Sequence, residues 1–294
     1  TISYLGIIQQ HDRVASMVVD RLIARAPGDP GAAVLLAGEC VLDAWPGGVT
    51  PACKQATIQQ LLATMRAGPE TTPATRAAAG RLLGKLGDPR VEALDPLRME
   101  WCDVPTGPFC MGSKDDPQAW DDEQPQHEMA IAYDFRIARY PVTNAQYRCF
   151  VDAGGYMEER YWFEAYAAGV WQDGRVEDRS GPAEYGEPFA LANHPVVGVM
   201  WYEALAFTRW LSDALHEQGK LPKGWQVRLP SEAEWEKAAR GADGRRFPWG
   251  ERLTPQHANF DKTRIGATNA VGCFPAGAGP HRCEEMSGNV WEWT

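Results

Sequence analysis

No uninterrupted run of about eighteen apolar residues occurs in the chain, and no charged-then-apolar leader opens it. A membrane-spanning helix and a secretory signal are therefore not expected. Basic charge is in short supply: 29 Lys and Arg stand against 39 Asp and Glu, a formal net charge of -10. That balance excludes partners held by phosphate attraction, so neither nucleic acid nor an anionic membrane is expected. Paired cysteines are missing as well. The seven are Cys40, Cys53, Cys102, Cys110, Cys149, Cys273 and Cys283, and no two form a CxxC motif. A four-thiolate zinc site is poorly supported. Buried free thiols in a reducing cytoplasm are the expectation, with Cys102 and Cys110, or Cys273 and Cys283, as candidate neighbours.

Two further absences narrow the chemistry. There is no GxSxG nucleophile elbow, and none of the six histidines stands three or four residues from another. The acidic run Asp115, Asp116, Asp121, Asp122, Glu123 lacks the alternating oxygens and sixth-position glycine of an EF-hand loop. It reads as a solvated acidic loop.

What is abundant is tryptophan. Twelve in 294 residues require a rich aromatic core, because so much indole surface cannot be left in water. Texture divides the chain near residue 90. Residues 1–92 are dominated by Ala, Leu and Arg, with helices expected over 11–26, 31–45, 54–68 and 72–90. Val14, Met17, Val18, Leu22 and Ile23 form the apolar stripe of the first. The Arg-punctuated small residues of the last have the look of a HEAT-type repeat, so an all-α helical-repeat segment is expected. The chain opens on Thr1 rather than Met and is expected to be part of a larger protein.

From residue 97 short alternating runs lie between Gly, Pro, Asp and Asn. LRMEWCDVPTGPFCMGS reads as a hairpin turning at Pro-Thr-Gly, and residues 129–143 as a strand pair. Thr143 with Gln146, and Ser231 with Glu234, are capping boxes that open helices. Strands are expected before Trp201, over 225–229 and over 270–275. The fold class is α+β with much irregular loop structure. Trp120, Trp162 and Trp171 lie in irregular stretches, where exposed aromatics bind ligands.

VPTGPFCMGS, ARYPVTNAQYRCFV, HPVVGVMWYEALAFTRWLS, VRLPSEAEWEKAARG, FPWG, ANF, VGCFPAG and EMSGNVWEWT follow one another in order. In these eight blocks residues 97–294 resemble the formylglycine-generating enzyme / sulfatase-modifying-factor family. The resemblance implies a C-type-lectin-like fold. It also implies a structural calcium site at Glu285, the Gly288 and Val290 carbonyls and Glu292, with Glu285 where some members have Asn or Asp. A second site would use Asn259 with the carbonyls of Phe260 and Ile265, although Thr263 occupies the place of an Asp. The family's copper-binding cysteine pair lies beyond the GNVWEW block, and the sequence ends at Thr294. The expectation is therefore a non-catalytic recognition module of a larger bacterial signalling or defence protein. Its partner would be a protein or small-molecule ligand, alongside an upstream effector domain. One variant is a retroelement-diversified variable protein. The alternative is a copper-dependent oxygenase acting on a cysteine of a partner protein.

Overall fold

The computed structural model describes residues 11–24, 30–44, 48–114, 117 and 119–294. Asp115 and Asp116 of the acidic run lie outside them, whereas Asp121–Glu123 form an exposed 3-10 turn. Among the described residues no helix is long and apolar enough to cross a membrane.

Four helices open the structure: α1 (His11–Ala24), α2 (Pro30–Asp43), α3 (Pro51–Met65) and α4 (Pro73–Leu86). Thr50 and Thr72 cap α3 and α4, each accepting a backbone N–H three residues on, and each is followed by a proline preset for the first turn. Helix α2 packs on α1, α3 and α4, and α3 on α4. The stripe expected of α1 is not its buried face: Val14, Met17 and Val18 are exposed, while Ser16 and Val19 are buried. Ser16 sets that rotation. Its Oγ accepts the Thr50 backbone N–H at 2.9 Å and donates to Thr50 Oγ1 at 3.1 Å, fixing α1 to the start of α3.

These helices do not form a separate body. Leu61, Met65, Ala79, Leu82 and Leu83 share one core cluster with Ala270, Cys273 and Phe274. A buried ion pair sits at the seam, Arg90 reaching Asp88 at 2.6 and 2.9 Å. Arg90 also donates to the Val271 carbonyl at 2.6 Å. Asn193 donates to both Asp88, at 2.8 Å, and the Gly80 carbonyl, at 3.0 Å. The charges are thus paired and their remaining lone pairs satisfied, as burial demands.

After the short helix α5 (Val91–Leu94) come strands β1 (Trp101–Val104), β2 (Gly107–Met111), β3 (His127–Ile131) and β4 (Phe135–Ala138). Pro-Thr-Gly is not a hairpin turn. β1 pairs with β4 from Trp101↔Ala138 to Val104↔Phe135, and β2 with β3 from Gly107↔Ile131 to Met111↔His127. The two pairs are the halves of one long antiparallel arm, broken where two residues on one side face three on the other. The break is pinned rather than loose. Asp134 accepts the Thr106 N–H at 2.7 Å, and Lys237 donates to the carbonyls of Pro105 and Gly107 at 2.7 and 2.9 Å.

Helix α6 (Asn144–Asp152) opens on the expected Thr143–Gln146 box. Then follow α7 (Phe163–Ala167), the two-residue strands β5 (Trp171–Gln172) and β6 (Arg175–Val176), and α8 (Trp201–Glu217). Helix α9 (Glu232–Arg240) opens on the Ser231–Glu234 box and stops at Gly241, whose φ of 72° suits a residue without a side chain. The strands expected before Trp201, over 225–229 and over 270–275 are absent. Residues 270–274 are buried all the same, because they pack against α4 instead of pairing in a sheet. Tyr147, Phe150, Trp162, Trp171 and Phe207 form an aromatic core around α6 and α8. Within it Arg179 clasps the buried Glu203 through two contacts of 2.6 and 2.7 Å.

Candidate functional site

A cavity of about 620 Å³ lies between the β1–β4 arm, helix α8, residues 220–230 and residues 284–293. Phe207, Leu211 and Leu215 of α8 give it an apolar wall, and Phe135 and Ile137 of β4 another. Polar groups are part of the lining too. Arg228 reaches Glu234 at 2.6 and 2.7 Å, and the Tyr133 hydroxyl donates to the same carboxylate at 3.1 Å. The Arg136 guanidinium lies 5.6 Å from the centre of the Trp225 ring. Glu284 takes Arg139 at 2.6 Å through Oε1. Its Oε2 and the Tyr140 hydroxyl, both buried, have no partner within the chain. Such orphaned polar atoms beside a cavity are where a polar ligand group or water is held.

Glu292 also lines this space. Its Oε2 accepts the Trp235 indole N–H at 2.9 Å. Dehydration pushes its pKa up to about 7, with the Trp235 bond opposing. The group can therefore hold or release a proton near neutrality.

The residues expected to hold calcium are brought together in part, by an asparagine that sequence reasoning did not single out. Asn289 donates to Glu285 Oε2 at 3.1 Å and to the Asn269 carbonyl at 3.3 Å, and its backbone N–H donates to the Asn259 carbonyl at 2.8 Å. The Gly288-Asn289 turn was its sequence signal. Glu285 is enclosed by N–H donors, since its Oε1 takes Asn269 and the Gly272 backbone at 3.1 Å each. Burial, then the neighbouring charge of Glu284, push its pKa up to about 8. These three N–H bonds take three of the about four acceptor positions of the carboxylate. Gly288 turns its carbonyl onto the Val290 N–H at 2.8 Å, and Glu292 is engaged at Trp235.

The second set is closed differently. The Thr263 hydroxyl lies 3.0 Å from Asn259 Oδ1 and 2.6 Å from the Phe260 carbonyl, where an ion would sit between them. Ile265 packs against the helical core. Both sets are tied by hydrogen bonds within the chain, and the Thr263 hydroxyl stands beside Asn259 where the resemblance implied an Asp. Among the described residues no three of His, Cys, Asp and Glu gather as metal ligands, so the residues present do not fit a histidine-held iron. Copper would need a soft thiolate pair open to substrate. Cys102 and Cys283 instead lie together in a buried core cluster.

Of the three tryptophans expected to bind ligand, two are corrected. Trp162 is 1% and Trp171 7% exposed, with their indole N–H groups spent on the Gly155 and Tyr156 carbonyls at 2.9 and 3.0 Å. Their long loop folds over α6, which its irregular sequence did not reveal. Trp120 is 62% exposed and stacks on Trp291, 91% exposed, with ring centres 6.3 Å apart.

Residues 97–294 match the model of the sulfatase-modifying factor enzyme 1-like domain. The chain belongs to that family. It is 37% identical over 204 residues to the hercynine oxygenase of Mycolicibacterium thermoresistibile, covering 64% of this chain and 41% of that protein. Over 224 residues it is 34% identical to the formylglycine-generating enzyme of Thermomonospora curvata, covering 65% and 69%. Over 199 residues it is 35% identical to the serine/threonine-protein kinase pkn1 of Chlamydia caviae, covering 67% and 28%. The chain thus spans less than half the length of the hercynine oxygenases it matches.

Proposed function

We propose that this sulfatase-modifying-factor-like chain serves an oxygenase-type enzyme, with the cavity beside Glu292 as its substrate pocket. The observation that carries the reading is the similarity of the family portion to proteins named as a hercynine oxygenase and a formylglycine-generating enzyme. These relatives favour the enzyme alternative over the recognition module. Family membership also supports a C-type-lectin-like reading of residues 97–294.

In this proposal the walls of α8 and β4 exclude water, the unpartnered Tyr140 hydroxyl and Glu284 Oε2 take up polar groups of the substrate, and Glu292 holds a proton at its carboxylate. The test is oxygen uptake by the natural full-length protein supplied with Fe(II) or Cu(I), a thiol, and either a histidine betaine or a cysteine peptide. Substrate-dependent uptake above the thiol background, lost in Glu292→Gln, is expected. Absence of any uptake would favour the second reading, a binding module, which the similarity to kinases supports.

A further inference from the structure

The cysteine pairs suggested by spacing, Cys102 with Cys110 and Cys273 with Cys283, are not the pair the fold makes. Cys102 stands on β1, opposite Ile137 of β4. On the far side of that arm the Glu284 N–H donates to the Arg139 carbonyl at 2.8 Å, while Arg139 donates its own N–H to the Glu100 carbonyl at 2.9 Å. Arg139 thus stitches the start of β1 to the segment carrying Cys283. That backbone link brings the Cys283 side chain into the same buried cluster as Cys102. Both sit in one small cluster with Val104, Ala238, Ala239 and Met286.

We propose that Cys102 and Cys283 are a redox-active dithiol that closes to a disulfide, tying β1 to the loop before the terminal segment. Cys102 is the attacking sulfur: the neighbouring Cys283 thiol, and then the Arg139 cation, favour its thiolate. It is also the less deeply buried of the two, at 7% against 0%. Its strand neighbours Trp101 and Ile137 line the large cavity, which brings a small oxidant close. With a peroxide as oxidant, the Cys102 thiolate attacks the O–O bond to form a sulfenic acid and releases hydroxide. The Cys283 sulfur then attacks that sulfenyl sulfur. The S–O bond breaks, an S–S bond forms, and the thiol proton leaves with the departing oxygen as water. Two thiols are oxidised and one peroxide is reduced to two waters.

The other cysteines supply internal controls. Cys149 is exposed and Cys110 half-buried, whereas Cys273 is fully enclosed. The protein would be treated with stoichiometric hydrogen peroxide, denatured in an alkylating agent, digested and mapped by mass spectrometry. The expected product is a dithiothreitol-sensitive peptide joining Cys102 to Cys283, formed ahead of any product at Cys273. On oxidation the thermal midpoint of the wild type should rise, with no rise in Cys283→Ser. Recovery of both cysteines alkylated, after Cys149 has been consumed by peroxide, overturns the proposal. So does a cross-link from Cys102 to any other cysteine. The peptide mapping uses the wild-type chain, so it decides the matter even where a variant fails to fold.

Discussion

The guanidinium of Arg76, on helix α4, lies over the ring of Phe274, 5.0 Å from its centre. The same side chain donates to the carbonyls of Ala67, Gly68 and Gln256 at 3.2, 3.5 and 3.2 Å and is 1% exposed. One buried cation thus serves the helical segment and the family domain at once.

Arg76→Ala should cost about 3 kcal/mol or more, from a cavity plus carbonyls left without donors. The loss should appear equally in helical circular dichroism and in tryptophan fluorescence during urea unfolding, because coincident probes mark one cooperative unit. A shift confined to the dichroism would show that the helices unfold alone.

Gly80 sets a second test of the same seam. A Cβ there would lie 2.8 Å from the Ala270 Cβ and 3.1 Å from the Cys273 sulfur. Gly80→Ala gains about 1 kcal/mol of helix propensity but forces a packed helix away from its neighbour. Overpacking of this kind costs about 1–3 kcal/mol, so net destabilisation is expected in the denaturation midpoint.

Thr263 predicts indifference to calcium. Removing the hydroxyl in Thr263→Val takes away the donor shared by the Phe260 carbonyl and Asn259 Oδ1 and should cost about 1–2 kcal/mol, whereas Thr263→Ser should cost less. The wild-type melting temperature should be the same with calcium and with chelator. A calcium-dependent rise in the wild type would restore the ion to this loop.

Glu292 makes stability fall with rising pH. Its folded pKa, about 7, is above the unfolded carboxylate value of about 4.3. The folded state therefore binds the extra proton between the two. Its contribution is present below about pH 4 and is lost as pH rises through about 7. Glu292→Gln keeps an acceptor for Trp235 and removes the titration. The variant should gain about a few degrees in melting temperature on the wild type between pH 5 and pH 8. In the proposed enzyme it should lose turnover over the same range.

The parts of this fold that could be read in advance are those whose partners are near in sequence. The Thr143–Gln146 and Ser231–Glu234 boxes were legible because both members lie within one helical turn. The β1–β4 pairing was not, because a Pro-Thr-Gly stretch looks the same whether it turns a hairpin or kinks a long arm. What decides is Lys237, distant in the chain, capping the carbonyls at the kink. The family itself was legible through ordered blocks, and the large cavity was not, since Tyr133, Trp225, Arg228 and Glu234 meet only through tertiary packing. Glu285 is a polar hub whose hydrogen-bond partners its sequence did not show. Its partners Asn269 and Asn289 supply N–H groups where an ion had been expected.

The family match begins at residue 97, but the physical boundary does not. Ala270, Cys273 and Phe274 share their apolar cluster with the helices before it, and Asp88 and Arg90 complete each other's charge at the same seam. A truncation at residue 97 would bare that surface and leave the Val271 carbonyl and Asn193 amide unanswered. Recombination that moves the family domain between proteins must therefore carry these helices with it, or supply another lid of the same shape.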